Sequence, residues 1–286
     1  MNQQSLNEMD RELWLGWRRG GIGSSDAASI MKHPEAFGTP FQVWEEKVFG
    51  STKEDNFAMR RGRDFEEKAR QCYIRKTGIQ VKPANIIHPE YSWIRSSFDG
   101  LTEDGKRGVE IKISGKKDYG LALEGIISPK YDIQMQHQWQ TEQRLEQHDY
   151  FSYNLEEDDG VIIHSERKSD YIAELFAAEQ AFWQMVLSGE APPLMERDYV
   201  SLEGDCLLLE FIENRRLLKT MEERDKQLLE HLKVNAGDRS FKGNGVKLTK
   251  SVCRGPLDYK KACDDHKIAL DNYRKASYVK WTSSGI

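Results

Sequence analysis

A chain of 286 residues with 38% hydrophobic and 10% aromatic residues can bury a sizeable core, which excludes disorder over most of its length and predicts one large domain with an extension. No run of eighteen apolar residues occurs, and the opening MNQQSLNEMDRELWLGWRRG lacks a signal-like apolar stretch, so a cytoplasmic protein without membrane contact is expected. The net charge of −5 conceals an asymmetry: residues 239–286 carry eleven Lys and Arg against four Asp, a net of +7, which leaves −12 for residues 1–238. Cys72, Cys206, Cys253 and Cys263 form no CxxC pair, which argues against a zinc ribbon or a redox dithiol.

Residues 5–19 predict a helix or paired turns carrying Leu13, Trp14 and Trp17. The glycines of the following RRGGIGSSDAASIM allow close backbone approach to a neighbouring segment, and DAASIM starts a helix with Ser24 or Ser25 near its cap. TPFQVWEEKVFG begins another helix after Thr-Pro, and residues 59–77 form a third, stopped by Gly78. From Ile79 the pattern turns to short β-branched and aromatic runs, VKPANIIHPEYSWIRSSFDG, then a turn at Asp104 and Gly105, then GVEIKIS. Residues 131–146 return to a helix, YFSYNL and GVIIHSER read as strands, and YIAELFAAEQAFWQMVLSG is an amphipathic helix ended by Gly189.

This order fits an α/β sandwich with a central sheet flanked by helices over residues 1–200. Residues 201–286, past Pro192-Pro193, form a helical, basic C-terminal extension. There Leu207, Phe211, Leu218, Met221, Leu228 and Leu232 recur at three- and four-residue spacing, interrupted by Asn214 and Asp225, which predicts a helical hairpin packed on the core or on a neighbouring subunit. AGDRSFKGNG is the candidate flexible loop.

The chemically informative segment is SSFDGLTEDGKRGVEIK. Side chains two apart on a strand share a face, so Glu110 and Lys112 project together, and Asp99 reaches the same point if its strand pairs alongside. Carboxylates a few Å apart repel unless a cation lies between them, and magnesium prefers carboxylate oxygens and water. Phosphodiester hydrolysis uses such parts: metal ions to position and acidify water, and a lysine to orient the nucleophile or stabilise negative charge. The alternative reading of the same residues is an exposed cross-strand ion pair.

RRGGIGSSDAASIM, GRDFEEKA at 62–69, SFDG with EIK at 97–112, and IQMQHQW at 133–139 occur in the order found in the YqaJ-type viral recombinase family of the PD-(D/E)XK nuclease superfamily, and residues 14–145 resemble that family. The resemblance implies a restriction-endonuclease-like core with a central mixed sheet. It implies Asp99, Glu110 and the backbone carbonyl of Ile111 as metal ligands, Lys112 as the catalytic lysine, and Glu66 in the G-x-x-x-E helix motif as a residue that binds metal or orients its water. It places a glutamine of IQMQHQW toward the active site, matched best by Gln136, with Gln134 as the neighbouring candidate, and puts Arg18 and Ser25 where a terminal 5′-phosphate binds. Phe98 departs from the proline usual before the first aspartate.

The resemblance further implies Mg2+, with Mn2+ able to substitute, as cofactor of a 5′-to-3′ exonuclease acting on double-stranded DNA ends in a bacterial or phage-infected cell. It also implies a ring-shaped homo-oligomer, trimer or tetramer, and a single-strand annealing partner. Lys242, Lys247, Lys250, Arg254, Lys260 and Lys261 supply the basic charge that could line such a ring. Two other readings are an inactive DNA-binding or assembly protein on a nuclease-like core, and a nuclease carrying an iron-sulfur cluster, which the scattered cysteines oppose.

Overall fold

The computed structural model describes residues 11–50, 57–237, 239–251, 255 and 259–268. The chain divides into two units, Met1–Tyr199 and Val200–Ile286, each taken by itself below. Among the described residues no helix is long and apolar enough to cross a membrane.

In the first unit, helix α1 (Arg11–Arg19) passes through Gly20 and Gly21 into the two-residue strand β1 (Ile22–Gly23) and directly into α2 (Ser24–Ile30). The close approach expected at these glycines is to backbone: a Cβ on Gly21 would lie 2.6 Å from the Trp93 carbonyl oxygen. The cap of α2 is Gly23 rather than either serine, and Asp26 Oδ2 accepts the Gly23 N–H at 3.0 Å. Helix α3 (Pro40–Phe49) starts as expected, with Thr39 accepting from Gln42 N at 3.1 Å. Helix α4 (Phe57–Thr77) ends at Gly78, whose φ is +72°.

Strands β2 (Lys82–Ile87), β3 (Ile94–Leu101) and β4 (Arg107–Ile113) follow, and then α5 (Lys116–Leu123), an element the sequence pattern did not announce. Helix α6 (Pro129–Thr141) ends five residues before the expected 146, because Glu142 turns to an extended conformation and 142–146 become a connection. Strands β5 (Gln147–Asn154) and β6 (Asp159–Ser165) and helix α7 (Ser169–Ser188), stopped by a left-handed Gly189, complete the layer.

These elements form an α/β fold with a six-stranded mixed sheet in the order β1-β3-β4-β5-β6, with β2 also on β3. β4 and β5 are parallel in unbroken register from Arg107↔Gln147 to Ile113↔Tyr153, while β1 runs parallel to the start of β3. One face carries Val109, Ile111, Phe151 and Tyr153, packed against Ala69, Cys72 and Tyr73 of α4. Alternation therefore turns Gly108, Glu110 and Lys112 to the opposite face, where Tyr131, Met135 and Trp139 of α6 pack on Tyr150 and Phe98. Phe98, 1% exposed, is thus an apolar anchor where the family usually has proline.

The second unit contains helix α8 (Cys206–Asn235), strands β7 (Phe241–Gly243) and β8 (Val246–Leu248), and helix α9 (Tyr259–Asp265). The expected helical hairpin is instead one continuous 30-residue helix. No Gly or Pro interrupts it, and neither Asn214 nor Asp225 costs enough helix propensity to break it. The expected flexible loop holds the β7–β8 hairpin, whose turn residues Asn244 and Gly245 have φ of +44° and +80°. Arg254 and Cys253 lie outside the described residues.

Gly100 of β3 has no room for a side chain: a Cβ there would meet Val109 Cγ1 at 2.6 Å and Val81 Cγ2 at 2.8 Å. Both neighbours are buried, so Gly100→Ala is expected to destabilise the protein by about 1–3 kcal/mol in urea unfolding. A change within experimental error would contradict this packing.

Candidate active site

The site is made by an interruption in the sheet. β2 pairs with one edge of β3 from Arg95 to Leu101, so β1 and β4 share the other edge. β1 takes Ile94 and Arg95, β4 takes only Gly100 and Leu101, and among the described residues no strand lies beside 96–99 there. Side chains fill the opening. Asp99 Oδ2 accepts the N–H of Ile111 on the diverging β4 at 2.7 Å, and Gln138 of α6 donates to the Ser97 carbonyl at 3.2 Å.

Glu110 lies at the centre of this opening and is 1% exposed. Its Oε1 accepts from the Lys112 ammonium and from Gln134 Nε2 at 2.7 Å, and its Oε2 accepts from Gln138 Nε2 at 2.6 Å. A buried carboxylate without such partners would cost several kcal/mol. Burial opposes the charge on Lys112, but Glu110 and then Asp99 outweigh it and raise its pKa, so the group stands as an ammonium ion and a donor. The same ammonium lies 5.0 Å from the Tyr131 ring centroid, and Lys130 lies 4.8 Å from that ring and 5.2 Å from Phe37, which is 77% exposed. An aromatic and cationic path therefore runs from Lys112 to the surface.

Glu66 and Arg70 reach the opening from α4. Arg70 donates to Glu66 Oε1 and, through Nε, to the Asp99 carbonyl at 2.6 Å. Burial raises the pKa of Asp99 well above the usual carboxylate range, and the neighbouring Glu110 and Glu66 charges add to it. Burial likewise raises Glu66, against the opposing effect of Arg70 and with reinforcement from Glu110. Among the described residues no three His, Cys, Asp or Glu side chains converge closely enough to hold a metal ion as they stand. In chemistry the set nevertheless fits a hard divalent cation: it is carboxylate oxygen, and its crowding of negative charge is what an added positive charge relieves. Such an ion would have to exchange with the donors now on Glu110.

Asp99, Glu110 and Lys112 are thus brought together, as the spacing predicts, and Glu66, implied only by the family resemblance, reaches them through Arg70. Ile111 enters through its N–H, while its place opposite Phe151 in the β4–β5 ladder leaves a ligand role for its carbonyl as a proposal. Gln136 is a correction. Its amide donates to the Glu166 carbonyl at 2.8 Å and accepts from Lys168 N at 2.9 Å, fastening the connection into α7, so it faces away from Glu110. Gln134 and Gln138 occupy the position expected of it. A helix turns about 200° over two residues and returns over four, so Gln134 and Gln138 share a face that Gln136 cannot. The same rule pairs Arg70 with Glu66.

A second cluster lies at the β1 end of the opening. Arg18 donates to Ser25 Oγ at 3.0 Å and to Asp26 Oδ1 at 2.9 Å, and its guanidinium lies 5.0 Å from the Trp14 ring centroid. Asp26 is buried, yet Lys47, 2.6 Å from Oδ2, and Arg18 hold its carboxyl well below the usual range. Asp26 therefore stays charged and aims the guanidinium toward the exposed Ser25.

The α/β fold with a central mixed sheet flanked by helices is similar to that of alkaline exonuclease structures. Residues 13–143 match the model of the YqaJ-like viral recombinase domain. It is 26% identical over 310 residues to the uncharacterized protein YqaJ of Bacillus subtilis, covering 96% of this chain and 94% of the relative. The alkaline exonuclease LHK-Exo of Laribacter hongkongensis superposes with a TM-score of 0.54 at 27% identity, over 63% of this chain and 94% of that one. LHK-Exo in complex with dAMP gives 0.55 at 26% identity, with the same coverage.

The raised Asp99 pKa sets a pH dependence. A carboxyl whose pKa is higher in the folded state lends stability that is complete below its unfolded pKa and is lost as pH rises through the folded value. Metal-free Asp99→Asn, which keeps an acceptor for Ile111 N, should therefore gain thermal stability over the wild type at about pH 8 but not at about pH 4. Mg2+ should narrow the gap by stabilising only the wild type, as read from unfolding midpoints with EDTA or Mg2+. Parallel pH profiles for the two proteins would contradict the assignment.

Proposed function

We propose that this protein is a Mg2+-dependent exonuclease that degrades linear double-stranded DNA from 5′ ends and leaves single-stranded overhangs for phage-type recombination. The observation that carries the reading is the meeting of Asp99, Glu110, Glu66 and Lys112 at one interruption of the sheet, within a YqaJ-like domain. Likeness to LHK-Exo, described both as an alkaline exonuclease and in complex with dAMP, supports a deoxynucleotide substrate.

Asp99, Glu110, Glu66 and the Ile111 carbonyl would hold Mg2+, or Mn2+ in its place, and the bound ion would acidify water and offset charge on the phosphate. The chain's own groups do the rest. Lys112, held as an ammonium, donates to a phosphate oxygen or to the attacking water and cannot serve as the base while Glu110 is ionised beside it. Gln134 and Gln138 keep the Glu110 carboxylate oriented. Arg18 and Ser25 take a terminal 5′-phosphate, for which a guanidinium fixed by Asp26 supplies charge and direction. Lys242 faces Lys247 across the β7–β8 hairpin, and like charges so placed favour a phosphate backbone nearby. A ring-shaped homo-oligomer, trimer or tetramer, around the DNA and a single-strand annealing partner complete the proposal.

Digestion of 5′-labelled linear duplex and of closed circles, with Mg2+ or EDTA, tests it. Mg2+-dependent loss of linear DNA from 5′ ends with circles spared is expected; cutting of circles, or DNA binding without cutting, would overturn it. Lys112→Ala should bind DNA within about threefold of the wild type, while cleavage falls by about a hundredfold or more. Arg18→Ala should lose activity selectively on 5′-phosphorylated ends, and equal loss on 5′-hydroxyl ends would remove the phosphate role.

A further inference from the structure

Within the second unit, the described residues leave helix α8 uncovered. None of its 30 residues is buried, although Leu207, Leu218 and Met221 are 76%, 53% and 68% exposed. Helices of this kind owe their stability mostly to packing of an apolar face, and an exposed apolar stripe of this length marks an interface. The stripe advances by alternating steps of four and three residues from Leu207 to Leu232, the repeat of a left-handed coiled coil.

We propose that α8 is an interface between two copies of this chain, crossing antiparallel about a two-fold axis with Leu218 opposite Met221 of the second copy. This one register matches every layer. Phe211 meets Leu228 and Leu207 meets Leu232, and each pair occurs twice because the contact is isologous. The two polar interruptions coincide: the Asn214 amide faces the Asp225 carboxylate, donor to acceptor. A parallel, in-register pair would instead press Asp225 against Asp225 inside a closed seam, which costs far more than it returns.

The flanks agree with the same register. Arg215 falls beside Glu222 of the second copy, Glu210 beside His231, and Leu208 beside Leu229. Opposite charges meet at Arg215 and Glu222 and apolar side chains at Leu208 and Leu229, while Leu217 lies beside Arg224. Charge complementarity and the mirror-matched polar layers together select a second copy of this chain over an unrelated helix.

Cross-linking of the full-length protein tests both the partner and the direction. On a Cys206→Ser background, chains carrying Phe211→Cys alone or Leu228→Cys alone should remain unlinked under oxidation. Mixing the two, or combining them in one chain, should give disulfide-linked dimers, because only the antiparallel register brings these positions within bonding distance. Linkage between Phe211→Cys chains alone would overturn the direction. In sedimentation, Leu218→Asp should raise the dissociation constant of the two-fold contact by about tenfold or more. Arg215→Glu should weaken association, and adding Glu222→Arg in the same chain should restore it. No linkage in any combination, with an assembly mass unchanged by Leu218→Asp, would overturn the interface itself.

Discussion

The burial of one negative charge, Glu110, organises the first unit. A carboxylate 1% exposed on a central strand is tolerable only with donors on both oxygens. Three supply them: Lys112 two residues along the same strand, and Gln134 and Gln138 one helical turn apart on α6. α6 can lie there because β3 and β4 part after Gly100↔Val109, leaving a stretch of β3 that side chains, rather than a strand, must satisfy. Asp99 accepts the Ile111 N–H at the same divergence, so the gap that admits α6 also brings the second acid to the first. Burial first, and then the neighbouring carboxylates, raise the pKa of Asp99 and Glu66, and a divalent cation would favour their charged forms.

Much of this was legible in the sequence, where short-range periodicity governs. The i,i+2 relation of Glu110 and Lys112, the Gly78 and Gly189 stops and the Thr39-Pro40 start each depend on one local rule, and each appears as expected. The choice of Gln136 over Gln134 departed from such a rule: helical period alone separates it from Gln134 and Gln138. What could not be read locally are contacts between distant segments. Asp26 holding Arg18 against Ser25, and Arg70 fastening Glu66 to the Asp99 backbone, depend on how α1, α2 and α4 meet the sheet. Helix α5 was missed because its eight residues, KKDYGLAL, bury only Ala122 and carry almost no periodic signal.

The second unit shows the reverse. Its heptad spacing was visible, but the hairpin expected to pack on the core or on a neighbouring subunit is one continuous helix. In the two-fold contact we propose, Asn214 faces Asp225 of the second copy. Polar residues within an apolar seam are thus more informative than the leucines around them, because they discriminate among registers that leucine tolerates equally.

In the function we propose, the opening between β3 and β4 hydrolyses phosphodiesters with a divalent ion held against Glu110. The most direct measurement is the rate of nucleotide release from linear duplex DNA as a function of Mg2+ concentration, for the wild type and Glu110→Gln, with unfolding midpoints of both in EDTA. The account predicts a saturable Mg2+ dependence in the wild type and no measurable release from a folded Glu110→Gln protein at any Mg2+ concentration. Release by the wild type in EDTA, or wild-type rates from Glu110→Gln, would contradict it.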